Sequence, residues 1–365
     1  MKTTINRFSY LLLALGVTLA VTSCKRSDDP VPDIPPSDGT QMTLNGGEGG
    51  SAAENTVFVD LSADKQTSVK RTAWNLGFYN GNQFRVILNS TSGSSAIEVN
   101  ETDINAVNAD NIDLEGLAIA LGTTDAFDNI DDLTGDISKT LIPEISETES
   151  NNKVYVINTS GGSHGESIDP ANLFKVRILK AGDDYTLQYA ELNATTYQSV
   201  TVKKDQEFNF QYFSFDRGLV DIEPGKGDWD FQWTWSLYFG ETAGGQYPYG
   251  FSDLVFINSL AGVSAAEVIF KDADGNSNGE PSYESFSESD LGALSLSSSR
   301  GVIGANWRVT PSPSPGVVAG ARKDRFYVIK DAAGNYYKLK FNSFTPEDAG
   351  KRGYPELEYQ LIKRG

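Results

Sequence analysis

Trp229-Asp230-Phe231-Gln232-Trp233-Thr234-Trp235-Ser236-Leu237-Tyr238-Phe239 sets a large apolar residue at every second position, with Asp, Gln, Thr, Ser and Tyr between them. A period of two is the signature of a strand with one buried and one wetter face. The same alternation recurs in Phe84-Val86-Leu88, Phe174-Val176-Ile178, Tyr185-Leu187-Tyr189 and Tyr337-Leu339-Phe341, so the chain reads as all-β and antiparallel. Two stretches depart from it. Ile112–Leu121 and Ser289–Leu296 carry apolar residues at helix-compatible spacing and are expected to be short helical insertions.

Several segments occur twice. Phe84 to Ser90, with Gly93 and Ala96 to Val99, is echoed by Leu254 to Ser259, with Gly262 and Ala265 to Val268. The pairs Asn89/Asn258, Tyr155/Tyr327 and Tyr189/Tyr359 are separated by 169, 172 and 170 residues, a constancy that argues for tandem duplication. The pair Trp74/Trp229 is offset by only 155, which an extra loop at Glu241 to Gly250 in the second copy would explain. The expected organisation is a signal over 1–23, a flexible tether over 24–53, a first β domain over 54–197 and a second over 198–365.

Composition narrows the function. Of 365 residues, 30 are Lys or Arg and 49 are Asp or Glu, a net charge of −19. That excess of acid disfavours nucleic acid and anionic membrane surfaces as partners, since both need clustered cations. One Cys excludes an internal disulfide framework, and one His excludes a metal site of several imidazoles. Lys2 and Arg7, the apolar run Leu11 to Val17 and the small residues before Cys24 describe an export signal too short to span a bilayer. Ser23-Cys24 resembles a bacterial lipobox, which would make Cys24 a lipid-attachment residue; the alternative is an incidental Cys in a loose segment. The Pro-rich stretch that follows reads as a semi-extended spacer, and Ser27-Asp28-Asp29 looks like the acidic mark of surface-exported lipoproteins.

Trp74-Asn75-Leu76-Gly77-Phe78, with Phe84 to Ser90 and Gly93, resembles the Trp-Asp-Leu-Ala-Phe…Arg-x-x-Asn-x-x-Gly core of the HmuY family of haem-binding surface lipoproteins. Phe210 to Phe215 with Gly218, Trp307, and the hairpin Phe326 to Phe341 resemble further strands of that family, over about residues 54–365. The resemblance implies two tandem haemophore-like β domains, haem as cargo in iron acquisition, a lipid anchor in the outer membrane with cell-surface exposure, an outer-membrane receptor as partner, and no enzymatic activity. It also implies two axial iron ligands, usually His and in some relatives Met. Neither type occurs in Phe270 to Arg300 or in the stretch Arg308-Val309-Thr310-Pro311-Ser312-Pro313 after Trp307.

Candidate site residues each carry two readings. His164, in Ser160-Gly161-Gly162-Ser163-His164-Gly165, is an axial ligand or, as a flexible glycine loop favours, an exposed loop tip. Tyr283 offers a phenolate to ferric iron or is an ordinary strand tyrosine. Tyr247, Tyr249 and the tryptophans, Trp307 among them, could stack on a porphyrin or a sugar, or belong to a hairpin tip and a core. Asp272, Asp274 and Asn276 place oxygens at alternate positions as a calcium loop does, although Tyr283 stands where an acidic twelfth ligand belongs, and an Asp/Asn/Gly turn reads better. Arg322-Lys323-Asp324-Arg325 is the one dense basic run. Two functions remain open: a surface protein that sequesters haem or a related tetrapyrrole without the usual ligand pair, or an adhesion, assembly or carbohydrate-binding module on the same fold.

Overall fold

A computed structural model describes residues 35–119, 125–160, 168–272, 274–312 and 316–365. Cys24 and His164 lie outside them. Pro36–Gly365 forms a single compact unit. The strands of its first part are β1 (Gln41–Thr43), β2 (Asn55–Asp60), β3 (Lys65–Lys70), β4 (Leu76–Tyr79), β5 (Val86–Leu88), β6 (Ser95–Val99), β7 (Val154–Asn158), β8 (Leu173–Ala181) and β9 (Asp184–Glu191). The second part repeats the series with β10 (Gln198–Val202), β11 (Phe210–Ser214), β12 (Gly218–Val220), β13 (Phe231–Thr242), β14 (Gly245–Ile257), β15 (Ser264–Ile269), β16 (Arg308–Val309), β17 (Gly320–Ala321), β18 (Arg325–Lys330), β19 (Tyr336–Ser343) and β20 (Glu356–Lys363). All pairings between them are antiparallel.

The sheets do not follow the sequence halves. One sandwich packs the sheet β14-β13-β2-β3 on the sheet β1-β20-β19-β18-β15; the other packs β12-β11-β4-β5 on β10-β9-β8-β7-β6. Each half therefore gives its first three strands to the other. β2 pairs with β13 just as β11 pairs with β4, and β1 edges β20 just as β10 edges β9. A cut near Tyr197 would run through the turn between β9 and β10, while the sheets on both sides draw strands from both halves. Nor is the tether free as far as residue 53: Met42 and Leu44 alternate inward, are buried, and bring Gln41–Thr43 onto the open edge of β20.

Local bonds repeat across the exchange. The main-chain N–H of Asn75 donates to the Phe213 carbonyl and that of Asp230 to the Val59 carbonyl, at 2.8 and 2.7 Å. The Asn75 side chain accepts from Phe215 N–H and the Asp230 carboxyl from Leu61 N–H. Asn89 and Asn258 each donate through Nδ2 to two carbonyls, one of them that of Trp74 or Trp229. The Tyr155 and Tyr327 hydroxyls donate to Glu98 and Glu267.

Two lysines do the same work in the two sandwiches. Lys175, fully buried, donates through Nζ to the carbonyls of Val107 and Ala194; Lys338 donates to those of Tyr283 and Phe286. Burial pushes both ammonium groups below their usual range. They fasten irregular segments, whose carbonyls have no ladder partner, to the sheets. Lys338→Met would keep the apolar stem and strand two buried acceptors, and denaturant unfolding should show a loss of about 2 kcal/mol. No loss would mean that the carbonyls are satisfied otherwise.

The expected helices are short 3-10 turns at Glu115–Leu117 and Glu288–Ala293. In the first, the Asp113 carboxylate takes Glu115 N–H at 2.9 Å, a local bond that competes with α-helix propagation. In the second, a reciprocal bond between Ser287 and Asp290 caps a turn that contains Gly292.

Candidate functional site

The alternation in Phe231 to Phe239 is broken once, and that break builds the site. The pairing of β13 with β14 slips between Thr234 and Ser236. A bulge re-aims a side chain, and here Trp235 leaves the buried face that strict alternation predicts and lines an open cleft of about 880 Å3. On the opposing strand the same irregularity holds Asp253 at φ +58°, a left-handed conformation that Asp tolerates better than most residues.

Asp253 is 1% exposed and gathers two arginines under the cleft. Arg352 Nη2 lies 2.7 Å from its Oδ2 and donates to the Ser252 hydroxyl; Arg308 Nε lies 3.9 Å away, and Arg308 Nη2 donates to the Ser252 carbonyl. Burial pushes the Asp253 carboxyl upward against the pull of Arg352 and Arg308, and lowers the Arg308 guanidinium to about 10. The third cation, Arg71, donates to the carbonyls of Ala52, Ala53 and Thr91 and lies 4.8 Å over the Trp235 ring. Trp74, Tyr249 and Phe251 complete the aromatic wall. Three arginines against Asp253 and Asp216 leave the cleft locally positive in a chain of net charge −19.

Of the sequence candidates, Tyr249 lines this cleft, and Tyr247 stands next to it on β14, with ring centroids 6.1 Å apart. Trp307 does not line it. Its ring is 1% exposed, stacks on Phe341 at 4.1 Å and donates through Nε1 to the Asp253 carbonyl, so it anchors the bulge from inside the core. Tyr283 is also a core residue, 7% exposed and edge-on to Phe326, and burial pushes its phenol well above its usual range, against ionisation for iron. The Asp272 carboxylate accepts the N–H groups of Asp274 and Asn276 at 3.0 and 2.8 Å, with the Asn276 amide at 3.4 Å, which is an Asx-type turn. Among the described residues no group of three or more His, Cys, Asp or Glu is arranged to hold a metal.

Sequence reading missed the three arginines. They lie at positions 71, 308 and 352, on segments distant in sequence, and no local run announces them. The run Arg322 to Arg325 that did stand out spends Arg325 on Asp324 and Glu267.

The sequence model of a family described as HmuY protein matches residues 52–359. The chain belongs to the HmuY family. One continuous match spans both halves of this HmuY protein, in keeping with sheets built from both. No curated protein and no solved structure matches the chain. Among the described residues of this HmuY chain no helix is long and apolar enough to cross a membrane. The stretch after Trp307, where the resemblance puts an axial ligand in other members, contributes Arg308, Thr310 and Pro311 to the cleft.

Proposed function

We propose that this HmuY protein is a non-enzymatic binding protein that captures an anionic tetrapyrrole, haem among them, in the cleft between Trp235, Tyr249 and the three arginines. The observation that carries this reading is the pairing of aromatic faces with guanidinium groups in a space within the range of small-molecule sites, which run about 300–1,000 Å3. Flat macrocycles stack on aromatic rings, and carboxylates on the macrocycle rim pair with arginine. The described wall offers no imidazole or thioether, so Tyr249 is the one side chain there suited to ferric iron, and the ring and its carboxylates carry most of the affinity.

The corresponding corner of the other sandwich is smaller, about 440 Å3. It has Asn80 in the place of Trp235 and Lys226 in the place of Arg71. One ligand per chain is therefore expected. Cys24 as a lipid anchor, delivery to the outer surface and transfer to an outer-membrane receptor complete the proposal, supported by the lipobox-like Ser23-Cys24 and by family membership.

Titration of residues 25–365 with haemin and with iron-free protoporphyrin IX tests it. Both should bind one to one, with affinities within about tenfold of each other, because stacking and carboxylate pairing do not need the metal. Arg71→Ala and Trp235→Ala should each weaken both ligands about tenfold, and Tyr249→Phe should alter only the haemin spectrum. Silent spectra with retention on a glycan array would move the assignment to the adhesion or carbohydrate reading.

A further inference from the structure

The outer faces of the two four-stranded sheets meet along a second apolar seam. Phe58 meets Trp229 and Tyr212 meets Trp74 edge to face, with centroids 5.0 and 4.8 Å apart, one contact the counterpart of the other across the duplication. Between them remains a cavity of about 120 Å3. It touches the cleft only through the shared wall Arg71–Trp74.

The cavity wall holds an unspent donor. Trp229 is 8% exposed, and its Nε1–H is out of solvent with no acceptor among the described residues. A buried donor left in that state costs about 1–3 kcal/mol, so an occupant that accepts from it recovers that energy. Arg300 Nε is likewise buried with no acceptor among the described residues, while the buried carboxyls of the wall are engaged. Glu223 accepts Phe210 N–H at 2.7 Å and faces the Tyr212 hydroxyl at 3.4 Å, and Asp131 accepts Leu88 and Leu141 N–H. Burial holds Glu223 at about 7, so its charge is half suppressed near neutrality. Arg300 spends Nη2 on the Leu133 carbonyl and lies 4.4 Å over the Phe256 ring. The cations of the wall, Lys70, Arg71 and Arg300, are matched by Asp131, Asp132, Asp136 and Glu223, which disfavours a charged guest, and a somewhat larger apolar cavity of about 150 Å3 is known to accept benzene.

We propose that the seam cavity is a binding site for a small uncharged single-ring molecule bearing one oxygen, its ring against Phe58, Trp74 and Ile222 and its oxygen on Trp229 Nε1–H. This site is distinct from the tetrapyrrole cleft and stands whether or not the cleft takes haem. Phenol and benzene are the probes, read by thermal unfolding and by the indole 1H–15N resonances of the five tryptophans.

Phenol should raise the melting temperature, move the Trp229 indole resonance and bind about tenfold more tightly than benzene. Trp229→Phe removes the donor while keeping an aromatic ring in the seam, so it should bring the two affinities within about twofold. Ile222→Phe should fill the space and abolish both. Absence of any resonance or melting shift at 10-fold excess over the concentration that saturates comparable cavities, on the order of 10 mM, would overturn the proposal. So would a Trp229→Phe variant that keeps the phenol preference. Phenol that displaces haemin, read at the Soret band, would place it in the cleft and overturn the proposal as well.

Discussion

Asp230→Asn should raise the melting temperature at pH 8 and leave it almost unchanged at pH 4. The Asp230 carboxyl is buried, accepts one bond from Leu61 N–H, and lies near Asp331 and Asp60. Burial, reinforced by those two acids, pushes its pKa up to about 8. The folded value lies above the unfolded one of about 4, so the folded state holds a proton that the unfolded state gives up between these pH values. The resulting stability is complete below about pH 4 and is lost as pH rises through about 8. Glu223 at about 7 and Asp131 at about 6 slope the same way.

At pH 8 the ionised Asp230 costs the fold energy that a neutral amide would not, on the order of 3 kcal/mol. The fold already holds the replacement: Asn75 occupies the equivalent position in the other half and accepts Phe215 N–H at 2.8 Å. Melting curves of both proteins from pH 4 to pH 8 decide the matter. A variant no more stable than its parent at pH 8 would show that Asp230 does not carry the raised pKa.

Asp253→Ala acts in the opposite direction, with an expected loss of about 3–5 kcal/mol at pH 7. The change strands Arg308, whose side chain is 7% exposed, and removes the closer partner of Arg352. It also puts alanine at φ +58°, where a Cβ is strained. Asp253→Asn tolerates that backbone and keeps an acceptor for Arg352, so its loss should be smaller. Guanidinium unfolding read by tryptophan fluorescence measures both. A loss below about 1 kcal/mol for the alanine variant would mean that the arginines find solvent, as surface pairs do.

The fold class was legible because it rests on local pattern: alternation gives strands, and near-constant offsets give the duplication. The offset of 155 at the tryptophans also has a visible cause, since β13 and β14 run 12 and 13 residues where β4 and β5 run four and three. The exchange of opening strands left no mark in the pattern. β2 and β11 present similar faces, Phe58 with Val59 and Tyr212 with Phe213, so either could pair with β4 or β13. The cleft was hidden for a related reason. Trp235 reaches it only because a one-residue slip overrides the period, and its arginines converge only in three dimensions.

The traded strands have a consequence for how such a chain comes into being. A molecule with one copy alone would have two unpaired sheet edges, at the strands corresponding to β4 and β9, and would have to fill them from a second molecule, making assembly depend on concentration. Joining two copies end to end makes both donors part of the same polymer, at an effective concentration that dilution cannot reduce. It also frees the halves from being identical, and so one corner can keep tryptophan and arginine while its twin settles for asparagine and lysine.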